Sequence, residues 1–202
     1  MAPKTKEQFA RIRAESEEKI LNAALELFAT KGFKATSISE IAKAAAVSKG
    51  LMYNYFSGKN DLLRAIVGRA MDLGHQLFDA LDQEYDEPEE EIRRLVHNII
   101  KMTKDNRTFW RLSVALSFQP DAMQIVEDLV ASNTQWSIQK GAELFTALKA
   151  KDPMHSAMLF GAALDGIFLQ YLHVGEEYPL DMMAEHLLNT FLSDKSIHHN
   201  YQ

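Results

Sequence analysis

A short polar stretch near residue 50 carries side chains that can bind phosphates and read base edges. If residues 49–56 form a helix, Met52 and Phe56 lie one turn apart and face the protein core. The opposite face then presents one ammonium, one phenol, one amide and one bare backbone position, from Lys49, Tyr53, Asn54 and Gly50. Such groups can donate hydrogen bonds to phosphate oxygens and to base edges in a major groove. The stretch is therefore a candidate for contact with DNA.

Two further helices are predicted to position this face. Apolar residues recur at helical spacing over 13–31, and Gly32 follows as a helix stop. Ser37 and Glu40 have the spacing of a capping box that opens a short second helix, and Ser48 is an N-cap for the polar helix. Two short helices bury little surface alone, so they must pack on the longer one. This is the arrangement of a helix-turn-helix unit.

The distribution of charge favours the same interpretation. The 202 residues carry a net charge of −6, but residues 1–60 contain ten Lys and Arg against six Asp and Glu. The other 142 residues contain twelve against twenty-two. A basic head on an acidic body fits a local phosphate-binding surface, although an uneven scatter of solvated charges is the alternative.

Several other classes of protein are disfavoured by composition. Without cysteine, disulfides and thiolate metal sites are excluded. The N-terminus lacks the apolar stretch of a signal peptide, and Asp165 and Gln170 interrupt the most apolar segment, so we expect a soluble, cytoplasmic protein without a membrane span. No motif for a cofactor or a catalytic nucleophile is present, so neither a cofactor nor an enzymatic activity is expected. Asp72-x-x-His75 approximates half of a di-iron site, but no Glu-x-x-His occurs.

Helical periodicity continues through the rest of the chain, so the predicted fold is all-α with about nine helices. The later helices are predicted at about 59–85, 89–104, 107–118, 121–150, 153–174 and 180–193. We expect two domains, a helix-turn-helix domain over 1–60 and a helical domain over 61–202.

Between Ile20 and Leu63 the chain resembles the tetracycline-repressor (TetR) family. The matching residues cover about a fifth of the chain and keep the family's order and spacing: Ala24, Leu27, Phe28, Gly32, Phe33, Thr36, Ser37, Ile38, Ile41, Ala42, Ala45, Val47, Ser48, Gly50, Tyr53, Tyr55, Phe56, Lys59 and Leu62. Two positions depart from the family pattern, Ala46 where glycine is common in the turn and Gly58 where serine is common before the next helix. Neither change is incompatible with the motif.

The resemblance implies a set of DNA contacts. It comprises Thr36, Lys49, Gly50, Tyr53, Asn54, Tyr55 and Lys59, with phosphates bound mainly at Thr36, Tyr53 and Lys59. Three of them have a structural alternative. Tyr55 could lie partly in the core, Tyr53 could pack against the core, and Lys59 could be an ordinary solvated lysine.

The resemblance further implies a homodimer in which the last two helices of each chain form a four-helix bundle. Helix 153–174 is apolar nearly all round, so it needs burial on more than one side, and small residues such as Gly161 would allow a close approach. The predicted interface consists of Gly161, Leu164, Phe168, Leu172 and Leu187. The alternative is the central helix of a monomeric core.

Large, adaptable apolar residues between positions 97 and 168 could line a cavity for a small hydrophobic effector, or could be ordinary core. The candidates are His97, Met102, Trp110, Phe118, Trp136, Asp165 and Phe168, with His97 and Asp165 as interior polar groups. The sequence thus predicts a DNA-binding transcriptional regulator, a repressor that its effector releases from a palindromic operator. The alternatives are a DNA-binding dimer without an effector, a helical-bundle enzyme, and an architectural protein, which would need a basic body.

Overall fold

Side chains that cap helix ends determine where the helices begin. The computed structural model describes residues 5–81 and 87–193, and in these ranges every regular element is an α-helix, as predicted. The helices are α1 (Lys6–Lys31), α2 (Ile38–Ala44), α3 (Lys49–Tyr53), α4 (Lys59–Asp79), α5 (Pro88–Asp105), α6 (Arg107–Ser117), α7 (Pro120–Ala147), α8 (Pro153–Val174) and α9 (Leu180–Ser193).

The first helix begins earlier than its apolar pattern suggests. Thr5 and Gln8 form a capping box, in which the Gln8 backbone N–H donates to Thr5 Oγ1 (3.2 Å) and the Thr5 N–H donates to Gln8 Oε1 (3.0 Å). α1 therefore begins at Lys6, whereas the sequence pattern predicted about residue 13. Residues 10–15 are exposed. Because this part of the helix buries no apolar face, the sequence has no apolar pattern there that would predict it.

The next two helix starts follow the prediction. Ser37 and Glu40 form the expected capping box, with the Glu40 N–H donating to Ser37 Oγ (3.3 Å) and the Ser37 N–H donating to Glu40 Oε2 (2.9 Å). Ser48 accepts a hydrogen bond from the Leu51 N–H (3.0 Å). Each bond satisfies a backbone donor that a helix start leaves unpaired.

The described helices belong to two compact units. The first comprises Met1–Ala70 and Leu112–Leu129, so it extends past the predicted domain boundary at residue 60 and includes the α6–α7 corner. Its core is built from α1–α4, with Ile20, Ala24, Phe28, Ile41, Met52 and Leu62 almost inaccessible. The Phe28 and Phe33 rings meet edge to face, with 5.0 Å between centroids.

The second unit comprises Met71–Arg111 and Val130–Gln202. In α5 the residues Ile92, Val96 and Ile100 are buried four positions apart, and this helix packs against α9. α8 packs against α9 as well. α7 approaches α8 closely at Gly141, where a Cβ would lie 3.0 Å from the Cβ of Ala157.

By length and composition alone, α8 could cross a membrane, which the sequence analysis did not expect. Its single internal charge, Asp165, does not exclude that composition. The helix nevertheless contributes a buried stripe to the second unit, consisting of Ala157, Phe160, Ile167, Tyr171 and Leu172. The rest of the helix is half-buried or exposed, so α8 packs into the second unit along one face only.

Candidate nucleic-acid interface

The polar face of α3 is exposed as one surface. Lys49, Gly50, Tyr53 and Asn54 are exposed, with Tyr53 at 53%. Met52 (1%) and Phe56 (6%) anchor the opposite face in the core of the first unit. α3 ends at Tyr53 rather than at residue 56, and Asn54 forms its C-cap. The surface therefore offers an ammonium, a phenol, an amide and an unobstructed backbone to a ligand.

A left-handed residue sets the turn between α2 and α3. Ala46 has a φ of 54°, in the region where glycine is the easiest residue to place. Its N–H donates to Lys43 O (3.2 Å), and the Val47 N–H donates to Ala42 O (3.0 Å). The conformation inferred for the family's glycine position is thus adopted by alanine here, at a cost of about 1–2 kcal/mol.

Thr36 lies inside the first unit, in contrast to the predicted phosphate contact of its side chain. It is 2% exposed, and its hydroxyl donates to Gly32 O (2.8 Å), near Leu27 O (3.3 Å). The Gly32 carbonyl lies just beyond the last residue of α1, so it has no intrahelical donor. The Thr36 side chain therefore closes the end of α1 and is not available to a phosphate.

Lys59 is also engaged within the first unit. Its Nζ donates to the carbonyls of Phe33 (3.0 Å) and Lys34 (3.2 Å), and it lies 4.9 Å from the centroid of the Phe33 ring. Two of its three N–H donors are used in tying the start of α4 to the loop before α2. The predicted phosphate contact would have to use the remaining donor, so Lys59 is a weaker candidate than Lys49.

Tyr55 combines the two roles that the sequence left open. It is half-buried, and its ring centroid lies 6.4 Å from that of Phe56. On another side the guanidinium of Arg13 lies 5.4 Å from the Tyr55 centroid. Sequence reasoning missed Arg13, because a contact between residues 42 positions apart leaves no local signal.

Gln119, which the sequence analysis also missed, joins the α6–α7 corner to the helix-turn-helix. Its Oε1 accepts from the Phe33 N–H (2.9 Å), and its Nε2 donates to Phe28 O (2.8 Å). Gln119 thus pairs one backbone donor and one backbone acceptor at the end of α1. All of these groups belong to the first unit.

A second link within the first unit connects α4 to α7. Arg64 binds Asp128 through both guanidinium nitrogens (2.7 and 2.8 Å) and donates to Ile125 O (3.0 Å). The hydrogen bonds from Arg64 lower the pKa of Asp128 to about 2. Such a bidentate pair fixes geometry better than a single contact.

Comparison with known proteins agrees with this geometry. Residues 20–66 match the family model described as bacterial regulatory proteins, tetR family. The HTH-type transcriptional regulator YuxN of Bacillus subtilis is 26% identical over 161 residues, which are 78% of this chain and 54% of YuxN. The regulator AcrR of Shigella flexneri is 33% identical over 108 residues, covering 51% of this chain and 46% of AcrR. The chain thus spans about half the length of these curated relatives.

Among solved structures, the SmeT–triclosan complex has a TM-score of 0.73 at 20% identity. The match covers 88% of this chain and 90% of SmeT, so the two proteins share a fold.

The helix-turn-helix segment of this chain, residues 20–66, is therefore similar to that of the TetR family. YuxN and AcrR are transcriptional regulators rather than enzymes, as the missing catalytic motifs led us to expect.

The second unit contains two groups of aromatic rings. Trp110 meets Phe168 with 5.9 Å between centroids, and Trp136 lies 4.0 Å from His75 and 5.2 Å from Phe78. The three predicted effector residues among these rings are half-buried, as is Met102. Trp110 and Phe168 belong to one group, and Trp136 belongs to the other.

Three other predicted effector residues are exposed. Phe118 is 76% exposed at the end of α6, and His97 is exposed with its Nε2 2.6 Å from Glu185 Oε1. Asp165 lies on the open face of α8, although partial desolvation raises the pKa of its carboxyl. His97 and Asp165 are therefore not the interior polar groups that the sequence predicted, because the helix faces that carry them point away from the core.

Two buried donors beside the Trp110 group have no hydrogen-bond partner among the described residues. They are Trp110 Nε1 and Arg107 Nε, one turn apart on α6. Arg107 also lies 5.6 Å from the Tyr171 ring centroid, and a Cβ at Gly175 would come within 3.0 Å of its Nη2. An unpaired buried donor costs about 1–3 kcal/mol, so these atoms are candidates for contact with a bound molecule.

The predicted interface positions lie beside the open face of α8 instead of on it. Leu172 (4%) and Leu187 (8%) are buried within the protomer, and the other three positions are half-buried. The large apolar residues that are open to solvent on α8 and α9 are Met154, Met158, Leu159, Leu169, Val174 and Met182. Leu169 directly follows the predicted Phe168, and one residue turns a helix by about 100°.

Proposed function

We propose that this protein is a sequence-specific, DNA-binding transcriptional regulator of the cytoplasm. The observation that carries the proposal is the exposed surface of α3, in which Lys49, Tyr53 and Asn54 surround the bare backbone of Gly50. An amide can read adenine and an ammonium can bind guanine or a phosphate in the major groove. Similarity to the TetR family supports this use of the surface, and repression is favoured because it is the commoner behaviour of that family.

The test is DNA binding by variants of the α3 surface. Lys49→Ala and Asn54→Ala should each weaken binding to a duplex selected by the wild-type protein, by about 1–3 kcal/mol, and alter the preferred sequence. Lys101→Ala is a matched control, because Lys101 is exposed and paired with Asp105 (2.9 Å) in the second unit. Unchanged sequence preference in both α3 variants would mean that another surface reads the DNA.

We further propose that the protein acts as a homodimer through the open apolar face of α8 and α9. Leu159 (64%), Leu169 (41%) and Met182 (69%) are too exposed for an isolated soluble chain to favour. A second copy presents the same face, and two-fold symmetry matches the palindromic sites of dimeric helix-turn-helix proteins. This assigns the interface to the neighbours of the residues that the sequence predicted.

We also propose a small effector that combines apolar surface with a hydrogen-bond acceptor. Trp110 and Phe168 would supply the apolar contact, and Trp110 Nε1 and Arg107 Nε would donate to the acceptor. SmeT forms a complex with triclosan, and this supports a small-molecule function for the shared fold.

Linkage supplies the test for the effector. If the effector releases the protein from DNA, operator DNA must weaken effector binding by the same factor, typically 5–150-fold. Compounds found by thermal-shift screening should therefore bind less tightly in the presence of the operator, and Trp110→Phe should weaken those that use the indole donor. Equal affinities across all hits would favour the alternative, a DNA-binding dimer without an effector.

A further inference from the structure

The N-terminal part of α1 carries an arginine on one helix face. Closer to the C-terminus of α1, residues on the same face are buried in the core. Arg13 precedes Ile20 by seven residues, and Ile20, Ala24 and Phe28 follow on the same face as buried residues. At 1.5 Å per residue, Arg13 lies about 10 Å along α1 from Ile20. It is exposed, so this end of the face extends beyond the packed core.

The guanidinium of Arg13 is held by an aromatic ring and not by a carboxylate. It lies 5.4 Å from the Tyr55 centroid, within the range of a cation–π contact. Glu17 lies one turn further along α1, where an ion pair would be possible, yet within the described residues Arg13 forms no salt bridge. The charge of Arg13 is therefore not neutralised by a neighbouring side chain.

Tyr55 places this cation beside the DNA-reading helix. Tyr55 comes two residues after the end of α3, and its N–H donates to Met52 O (3.0 Å), so its backbone is tied to the last turn of that helix. The Phe56 ring lies against Tyr55 from the core side. The ring is thus fixed relative to α3, and it limits the positions that the guanidinium can occupy.

We propose that Arg13 binds the DNA phosphate backbone next to the major groove that α3 enters, and that Tyr55 is the positioning residue that holds it there. The inference rests on the proposed function, since it needs α3 to bind DNA. A stacked guanidinium keeps its in-plane N–H donors free, and these match the geometry of a phosphate. The contact adds a cation from outside the helix-turn-helix segment to the interface.

The same helix offers a matched control. Arg11 is two residues away and is also exposed, but it pairs with Glu15 (3.5 Å) and has no aromatic contact among the described residues. Removing either arginine changes the net charge equally. Only Arg13 should contribute a phosphate contact, so the two variants separate a local contact from a general effect of charge.

The experiment measures the affinity for a duplex of fixed sequence as a function of salt concentration. For Arg13→Ala the slope of log K against log salt should fall by about 0.9 for each protomer on the DNA, whereas Arg11→Ala should retain the wild-type slope. Equal slopes for Arg13→Ala and the wild type would overturn the proposal, as would equal losses in both variants. If the wild-type protein binds no duplex even at low salt, the proposed function itself fails.

Variants at Tyr55 test the positioning role. Tyr55→Phe keeps the ring and should keep the slope, whereas Tyr55→Leu removes the π face and should reduce the slope as Arg13→Ala does. Circular dichroism must show that both variants fold. If Tyr55→Leu keeps the wild-type slope while Arg13→Ala lowers it, Arg13 binds the phosphate without help from Tyr55 and the positioning role is overturned.

Discussion

The helix-turn-helix and helix α8 hold their orientations by different physical means. In the helix-turn-helix, polar side chains form specific hydrogen bonds with the backbone. Ser37 and Ser48 cap α2 and α3, and Gln119 accepts a hydrogen bond from the Phe33 N–H just after α1. In α8, buried Leu172 and open Leu169 have the same side chain and differ only in their position around the helix. Polar bonds fix one region locally, whereas the faces of the other are defined by the surfaces that pack against it.

The largest expected effect comes from placing a charge on each face of α8. Leu172→Glu should unfold the protein or lower its stability by more than about 4 kcal/mol, because the carboxylate would be buried without a partner. Leu169→Glu should leave the helical circular dichroism signal in place and give a species with the mass of one chain in light scattering. If Leu169→Glu remains a dimer, the open face of α8 is not the interface. The difference in exposure between Leu169 and Leu172 would then have no role in dimerisation.

A smaller effect is expected where polar bonds fix the helix-turn-helix. Gln119→Ala leaves the Phe33 N–H without its partner and removes one of the two donors to the Phe28 carbonyl, which keeps the Gly32 N–H, so the free energy of unfolding should fall by about 1–3 kcal/mol. Gln124→Ala, at an exposed position of α7, should change it by less than about 0.5 kcal/mol. Equal unfolding midpoints in urea for the two variants would show that water replaces Gln119 without loss.

The smallest effect concerns the charge at the start of α2. Hydrogen bonds from Lys31 and Ser37 lower the pKa of Glu40 from 4.5 to about 2. The ionised form therefore adds stability above pH 4.5, and this contribution is lost as the pH falls toward 2. Glu40→Gln retains an acceptor for the capping box, so its melting temperature should lie slightly below the wild-type value at pH 7 and approach it near pH 2. A difference that does not depend on pH would assign the effect to packing.

Local signals in the sequence predicted the parts of the structure that local bonds determine. The caps at Ser37 and Ser48 and the inward face of Met52 and Phe56 could be predicted because each depends on residues within one or two turns. The resemblance identified Ala46 as a position where glycine is common, and the positive φ found there accounts for that preference. These features define the α3 surface.

Contacts between distant residues could not be predicted in the same way. The Arg13–Tyr55 and Gln119–Phe33 pairs depend on the packed fold, and the same packing turns Lys59 toward backbone carbonyls. In α8 the apolar pattern does not select a face, so the residues predicted for the interface lie beside the face that is open in the protomer. Exposed Phe118 shows the related limit that apolar type alone does not imply burial.

Selection of bound duplexes from a random pool by the wild-type protein tests the central claim most directly. If the α3 surface reads DNA in a two-fold dimer, the selected duplexes should contain a palindrome whose half-sites lie about 10–10.5 base pairs apart, centre to centre, or a multiple of that spacing. The same selection with Lys49→Ala should change the bases enriched within each half-site. A pool that shows no enrichment, or an enriched site without two-fold symmetry, would contradict the account.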